Sequence, residues 1–75
     1  MRRVGEVARA AAGTIVARAT DESYPDIGAE VVDERLDPVG RVVDVMGPTE
    51  RPYVVITPAE GVSPVELLNE PVYAR

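Results

Sequence analysis

The chain has 75 residues, 45% of them hydrophobic and 28% charged, with a formal net charge of −5. That length bounds a single domain, residues 1–75, and the composition is too apolar for a disordered tail and too polar for a membrane span. With no Cys and no His, disulfides, a thiolate nucleophile, a Cys-ligated zinc and the usual general base near neutral pH are excluded.

Val dominates the apolar set, and β-branched side chains favour strands. The first strand is predicted over Arg3 to Ala10, with Gly5 marking a bulge or a close backbone approach. Ala11-Ala12-Gly13 reads as a hairpin turn into a second strand, Thr14 to Ala19. There Ile15 and Ala17 share one face while Val16 and Arg18 share the other. Thr20 to Gly28 is polar, carries Ser23-Tyr24-Pro25-Asp26, and reads as a loop. Glu30 to Asp33 is a short strand, and Glu34 to Pro38 turns the chain again.

Val39 to Met46 is the clearest strand, expected to set Val43 and Val45 on one face and Val42 and Met46 on the other. Apolar residues on both faces mean that one side fills the core and the other is covered by something. Gly47 to Pro52 is a connection stiffened by Pro48 and Pro52, leading to a strand from Tyr53 to Thr57. Pro58 is expected to block further ladder donation. Ser63-Pro64-Val65-Glu66 has capping-box spacing with Pro at the first helical position, so Ser63 to Leu68 is predicted as one short helical turn. Asn69 tolerates the left-handed conformation that would close it. The last strand is Pro71 to Arg75.

Six short strands separated by turn signals predict an all-β fold, a small six-stranded antiparallel barrel with one short helical turn. Its core is expected to be Val, Ile and Leu around the 3 Tyr. A core at this size supplies only ~3–5 kcal/mol, so a partner surface that completes the burial is expected on energetic grounds. The volume is too small for a closed cleft around paired carboxylates, so neither an enzyme nor a small-molecule substrate is expected.

Charge adds a second set of expectations. All 8 basic residues are Arg; a Lys-free acidic chain fits a high-GC genome, which favours Arg codons, or high internal salt, and the halophile is the favoured reading. Arg2, Arg3, Arg9 and Arg18 lie near the first hairpin, but no aromatic adjoins them to stack a base, and they read as solvated surface. Asp21-Glu22 and Asp33 to Asp37 lack the spacing of a calcium loop and read as solubilising charge, so no metal or other cofactor is expected. Met1-Arg2-Arg3 leads into Val4-Gly5-Glu6 rather than an apolar stretch, and a cytoplasmic location without a membrane partner is expected.

Two family resemblances follow from these residues. Val31-Val32-Asp33-Glu34-Arg35-Leu36, Val39-Gly40-Arg41-Val42-Val43-Asp44-Val45, and Gly47-Pro48-x-x-x-Pro52-Tyr53-Val54-x-Ile56-x-Pro58 together resemble the archaeal GAR-type subunit of H/ACA small ribonucleoproteins. That resemblance implies a translation-factor-like barrel, not catalytic, bound to the catalytic domain of the dyskerin-type pseudouridine synthase. It implies engagement of the synthase's mobile thumb loop, assisting substrate RNA loading, release and turnover in rRNA pseudouridylation. Guide RNA and substrate rRNA would be met indirectly, through the complex. The residues it implies for the synthase-facing surface are Val39, Gly40, Val42, Met46, Gly47, Pro48, Pro52 and Tyr53. Met46 stands where that family usually carries an aromatic. Ile27 to Asp33 followed by Val39 to Val45 also resembles the PRC-barrel family, which implies a small adaptor barrel binding another protein with no RNA role. The two-proline loop with Tyr53 fits the first family and is not expected of the second.

Overall fold

The computed structural model describes residues 2–11, 13–20, 22 and 24–75. Met1, Ala12 of the first turn, Asp21 of the acidic pair and Ser23 of the polar loop therefore lie outside the described residues. Among the described residues there are six strands: β1 Arg2–Ala11, β2 Thr14–Ala19, β3 Glu30–Val32, β4 Pro38–Met46, β5 Tyr53–Pro58 and β6 Pro71–Ala74. One 3-10 turn, Pro64–Leu67, precedes β6. The strands close into a barrel in the order β1-β2-β5-β4-β3-β6, and every neighbouring pair is antiparallel. This is the all-β, six-stranded barrel that the sequence predicts.

Closure demands sharp strand bending, and the irregularities fall where the sequence permits them. Against β6 the register of β1 shifts between Arg3 and Gly5, and against β2 it shifts between Val7 and Arg9. Gly5 serves the first bend, because a Cβ there would collide with the Arg18 carbonyl of β2. Just before the second bend, the Val7 N–H donates to Glu70 (3.0 Å) and the Val7 carbonyl accepts from Asn69 (2.8 Å). Asn69 itself holds φ +69, the left-handed conformation expected of it. The 3-10 turn is thereby stapled to β1 and carries the chain into β6.

Four expectations are corrected. The proposed mixed core is aliphatic throughout: Val4, Val7, Ile15, Ala17, Val31, Val39, Val42, Val54, Ile56 and Val72 fill it, each at most 2% exposed. Tyr24 is exposed and Tyr53 and Tyr73 are half-buried, while no Leu is fully buried. The interior of a barrel this narrow admits small branched side chains, and the rings are left outside. On β4, a bulge between Val42 and Asp44 places Val43 as an extra residue against β5. Val42 and Val45 consequently share the inner side, while Val43 and Met46 face out. The expected pairing of Val43 with Val45 fails because a single inserted residue flips every following side chain.

Pro58 does not end the ladder, since the Ala59 N–H donates to Val39 at 2.8 Å. In an antiparallel pair only alternate residues donate toward a given neighbour, and Pro58, opposite Gly40, occupies a position that does not. The capping box is also absent: Ser63 makes no side-chain cap, and its backbone carbonyl instead accepts from Glu66 at 3.2 Å. In a single 3-10 turn the i to i+3 bond satisfies the donor that a hydroxyl would otherwise take.

Candidate functional site

The loop between β4 and β5 is built by its own residues. Gly47 holds φ +90, and a Cβ on it would lie 2.9 Å from Cδ2 of Tyr53. Only glycine meets both demands, and its bare face lets the Tyr53 ring pack against the turn. Pro52 is buried, and its carbonyl accepts from the Ala19 N–H at 2.9 Å. The return limb of the loop is thus fixed to β2, while Gly47 and Pro48 stand exposed on the outgoing limb.

Met46, Gly47, Pro48 and Pro52 line one open hollow, together with Val45 and Tyr24. Tyr53 lies directly behind it, paired through the backbone with Met46 on one side and Arg18 on the other. The structure gathers these five of the eight sequence-derived residues at one end of β4. The other three are placed differently. Val39 and Val42 are 1% exposed and belong to the barrel interior. Gly40 is buried where a Cβ would run into the Thr57 carbonyl and approach Ile56 Cγ2 at 2.9 Å. All three shape the β4–β5 pairing and offer no side chain to the outside.

Three exposed apolar residues around this surface escape the sequence reading. Tyr24 is 52%, Ile27 62% and Val43 48% exposed. The Gly28 N–H donates to the Val42 carbonyl (2.7 Å) and the Val42 N–H donates to Ala29 (3.0 Å), which brings Ile27 alongside the Val43 bulge. Arg41 secures the same segment by donating to the Gly28 carbonyl at 3.0 Å. Tyr24 and Ile27 sit inside a stretch whose polar composition reads as plain loop, and in an unbulged strand Val43 shares a face with Val45, which the structure turns inward. Their one sequence signal is that large apolar residues interrupt a polar loop.

Among the described residues no polar or charged side chain is buried. No group of three or more His, Asp or Glu side chains among them is arranged to hold a metal ion. No helix of the described residues is long and apolar enough to cross a membrane. What the hollow presents is a stiff loop with a thioether, proline rings and a tyrosine ring, beside the Glu22 carboxylate and the Thr49 hydroxyl.

Comparison with known proteins supplies the family-level context. A family model described as the Gar1/Naf1 RNA binding region matches residues 1–74. Among solved structures, the Gar1 domain of NAf1 superimposes with a TM-score of 0.76 at 19% sequence identity, over 99% of this chain and 85% of that one. At that identity the likeness concerns the fold: a closed six-stranded barrel of the same kind. No curated protein matches the chain significantly.

Proposed function

Because the chain belongs to the Gar1/Naf1 RNA binding region family, we propose that it is a non-catalytic protein subunit of an H/ACA ribonucleoprotein. In this reading it binds a dyskerin-type pseudouridine synthase and promotes substrate RNA loading, release and turnover in rRNA pseudouridylation. The observation that carries the reading is the exposed apolar group around the Gly47 turn, where Tyr24 and Met46, each 52% exposed, line one hollow with Gly47 and Pro48. The loop's backbone is already fixed by Gly47, Pro48 and the Pro52–Ala19 hydrogen bond, so docking would cost little conformational entropy. Met46, Pro48 and Tyr24 would supply the contact, with Tyr53 supporting it from behind. Acting on a mobile thumb loop, such a surface would bias one loop position over another by binding it more tightly. The family match over nearly the whole chain favours this reading over a PRC-type adaptor. The Lys-free acidic composition fits a haloarchaeal source, and the binding test belongs in molar KCl.

The test is size-exclusion co-elution with the same organism's synthase, without RNA. A 1:1 complex is expected from the wild-type chain. Met46→Asp combined with Pro48→Ala should weaken it at least tenfold, because both side chains are exposed and the barrel retains its core. A complex of unchanged affinity would remove this surface from the proposal. Omitting the protein should slow multiple-turnover pseudouridylation more than single-turnover chemistry; equal slowing would remove the turnover role.

A further inference from the structure

Two hollows of opposite charge share a wall. Asp33, Glu34, Asp37, Glu66 and Glu70 line one of them, with Arg35 as its single guanidinium among the described residues. Arg3, Arg18 and Arg51 line the other, with Glu6 as its single carboxylate among the described residues. The wall is the segment Glu66 to Glu70: Glu66, Leu67 and Glu70 line the acidic hollow and Asn69 lines the basic one. Leu68, between them, is 41% exposed, and Val65 of the 3-10 turn is 63% exposed.

The fold holds both hollows in place. The Asn69 N–H donates to the Val7 carbonyl (2.8 Å) and the Val7 N–H donates to the Glu70 carbonyl (3.0 Å), which fixes the wall to β1. On the acidic side, the Asp33 carboxylate accepts from the N–H groups of Arg35 and Asp37 and sets the β3–β4 turn. The basic side is assembled from three elements. Glu6 and Arg18 are cross-strand partners of β1 and β2, and the Thr20 N–H donates to the Val4 carbonyl, setting Arg3 beside the end of β2. The Ala19–Pro52 hydrogen bond draws in Arg51 from the distant β4–β5 loop. Arg3 lies 3.2 Å from Glu6, but both side chains are about half exposed, and so open a pair does not withhold Arg3 from a further carboxylate.

Adjoining patches of opposite sign are complementary to themselves. A half-turn about an axis through the wall sets each basic hollow against the acidic hollow of a second copy, makes the contact twice, and brings the two Leu68 side chains together near the axis. A polyanion fits the basic hollow alone and is repelled by the acidic one across the same wall. A second copy presents both signs in the required order. We propose that the chain forms a two-fold dimer through this surface, with charge setting the register and Leu68 and Val65 supplying apolar contact at the centre. Neither a synthase nor RNA enters this arrangement, so it stands or falls apart from the function proposed above.

The test is sedimentation velocity of the full chain alone, with folding verified by circular dichroism. Contacts between exposed charges are individually weak, so the concentration should run from about 10 μM to about 1 mM. About 0.3 M KCl suits the measurement, since a screening length of roughly 5 Å quenches repulsion between two acidic chains but spares side chains in contact. The mass should rise from 8.0 kDa toward twice that value and stop there. Arg51→Glu and Glu66→Arg should each weaken dimerisation at least about tenfold. An equal mixture of the two variants should recover it to within about threefold, because each reversed charge then meets a reversed partner, a gain that misfolding does not mimic. Arg2→Glu makes the same change in net charge in a different hollow, beside Tyr24 and Arg75, and should leave the affinity within about twofold of wild type. A folded chain that stays monomeric throughout would overturn the proposal and free the surface for a different partner. Growth beyond a dimer, equal losses from Arg2→Glu and Arg51→Glu, or no recovery in the mixture would overturn it as well.

Discussion

Leu36 and Asn69 make the same backbone demand with very different residues. Leu36 holds φ +70 and Asn69 φ +69. Asn suits that conformation, and its role was legible from residue type alone. Leu does not suit it, since an L-residue with a Cβ loses about 1–2 kcal/mol there. What holds Leu36 in place is Asp33, whose Oδ1 accepts from the N–H groups of Arg35 (2.8 Å) and Asp37 (3.0 Å). The Asp33 carbonyl also accepts from Leu36 itself at 3.0 Å. Leu36→Asn should therefore stabilise the barrel by about 0.5–1 kcal/mol, a rise of roughly 2–8 °C in Tm for a domain of this size. Thermal unfolding by circular dichroism measures it. A fall in Tm would show that the exposed leucine side chain contributes packing that outweighs its backbone strain.

At the scale of the element, β4 is the strand that the sequence described best and misjudged most usefully. Its limits were legible, because a run of valines between Pro38 and Gly47 has no competing helical pattern. Its faces were not. The bulge at Val43 belongs to the pairing with β5, and no residue within β4 marks where the partner's register slips. Val39, Gly40 and Val42, which the family resemblance implies for a partner surface, are interior residues of the paired strand. Gly40→Ala tests how tightly the strands approach. The added methyl group meets the Thr57 carbonyl and Ile56 Cγ2, both held by neighbouring backbone. A loss of about 1–3 kcal/mol is expected, read as a lower urea midpoint. An unchanged midpoint would mean that β4 and β5 part without cost at this position.

For the whole molecule, the question is how so small an aliphatic core keeps one structure. Ile15 and Ile56 are its largest fully buried side chains, facing each other across β2 and β5. Ile56→Val should cost about 0.5–1.5 kcal/mol and Ile56→Ala about 2–5. Against a total of only ~3–5 kcal/mol the first should lower Tm and the second should abolish the cooperative transition. A cooperative melt for Ile56→Ala would show that the barrel has more stability in reserve than its core suggests. The sequence by itself determined the number of strands, the turn residues between them, the all-β class and the stiff Gly47–Tyr53 loop. These are local consequences of β-branching, proline and glycine, each acting within a few residues. Tertiary structure alone decided the strand order, the outward turn of Val43 and Met46, the exclusion of tyrosine from the core, and the meeting of Arg3, Arg18 and Arg51. Each of those depends on which strand lies beside which and in what register, and that is fixed only when the barrel closes on itself.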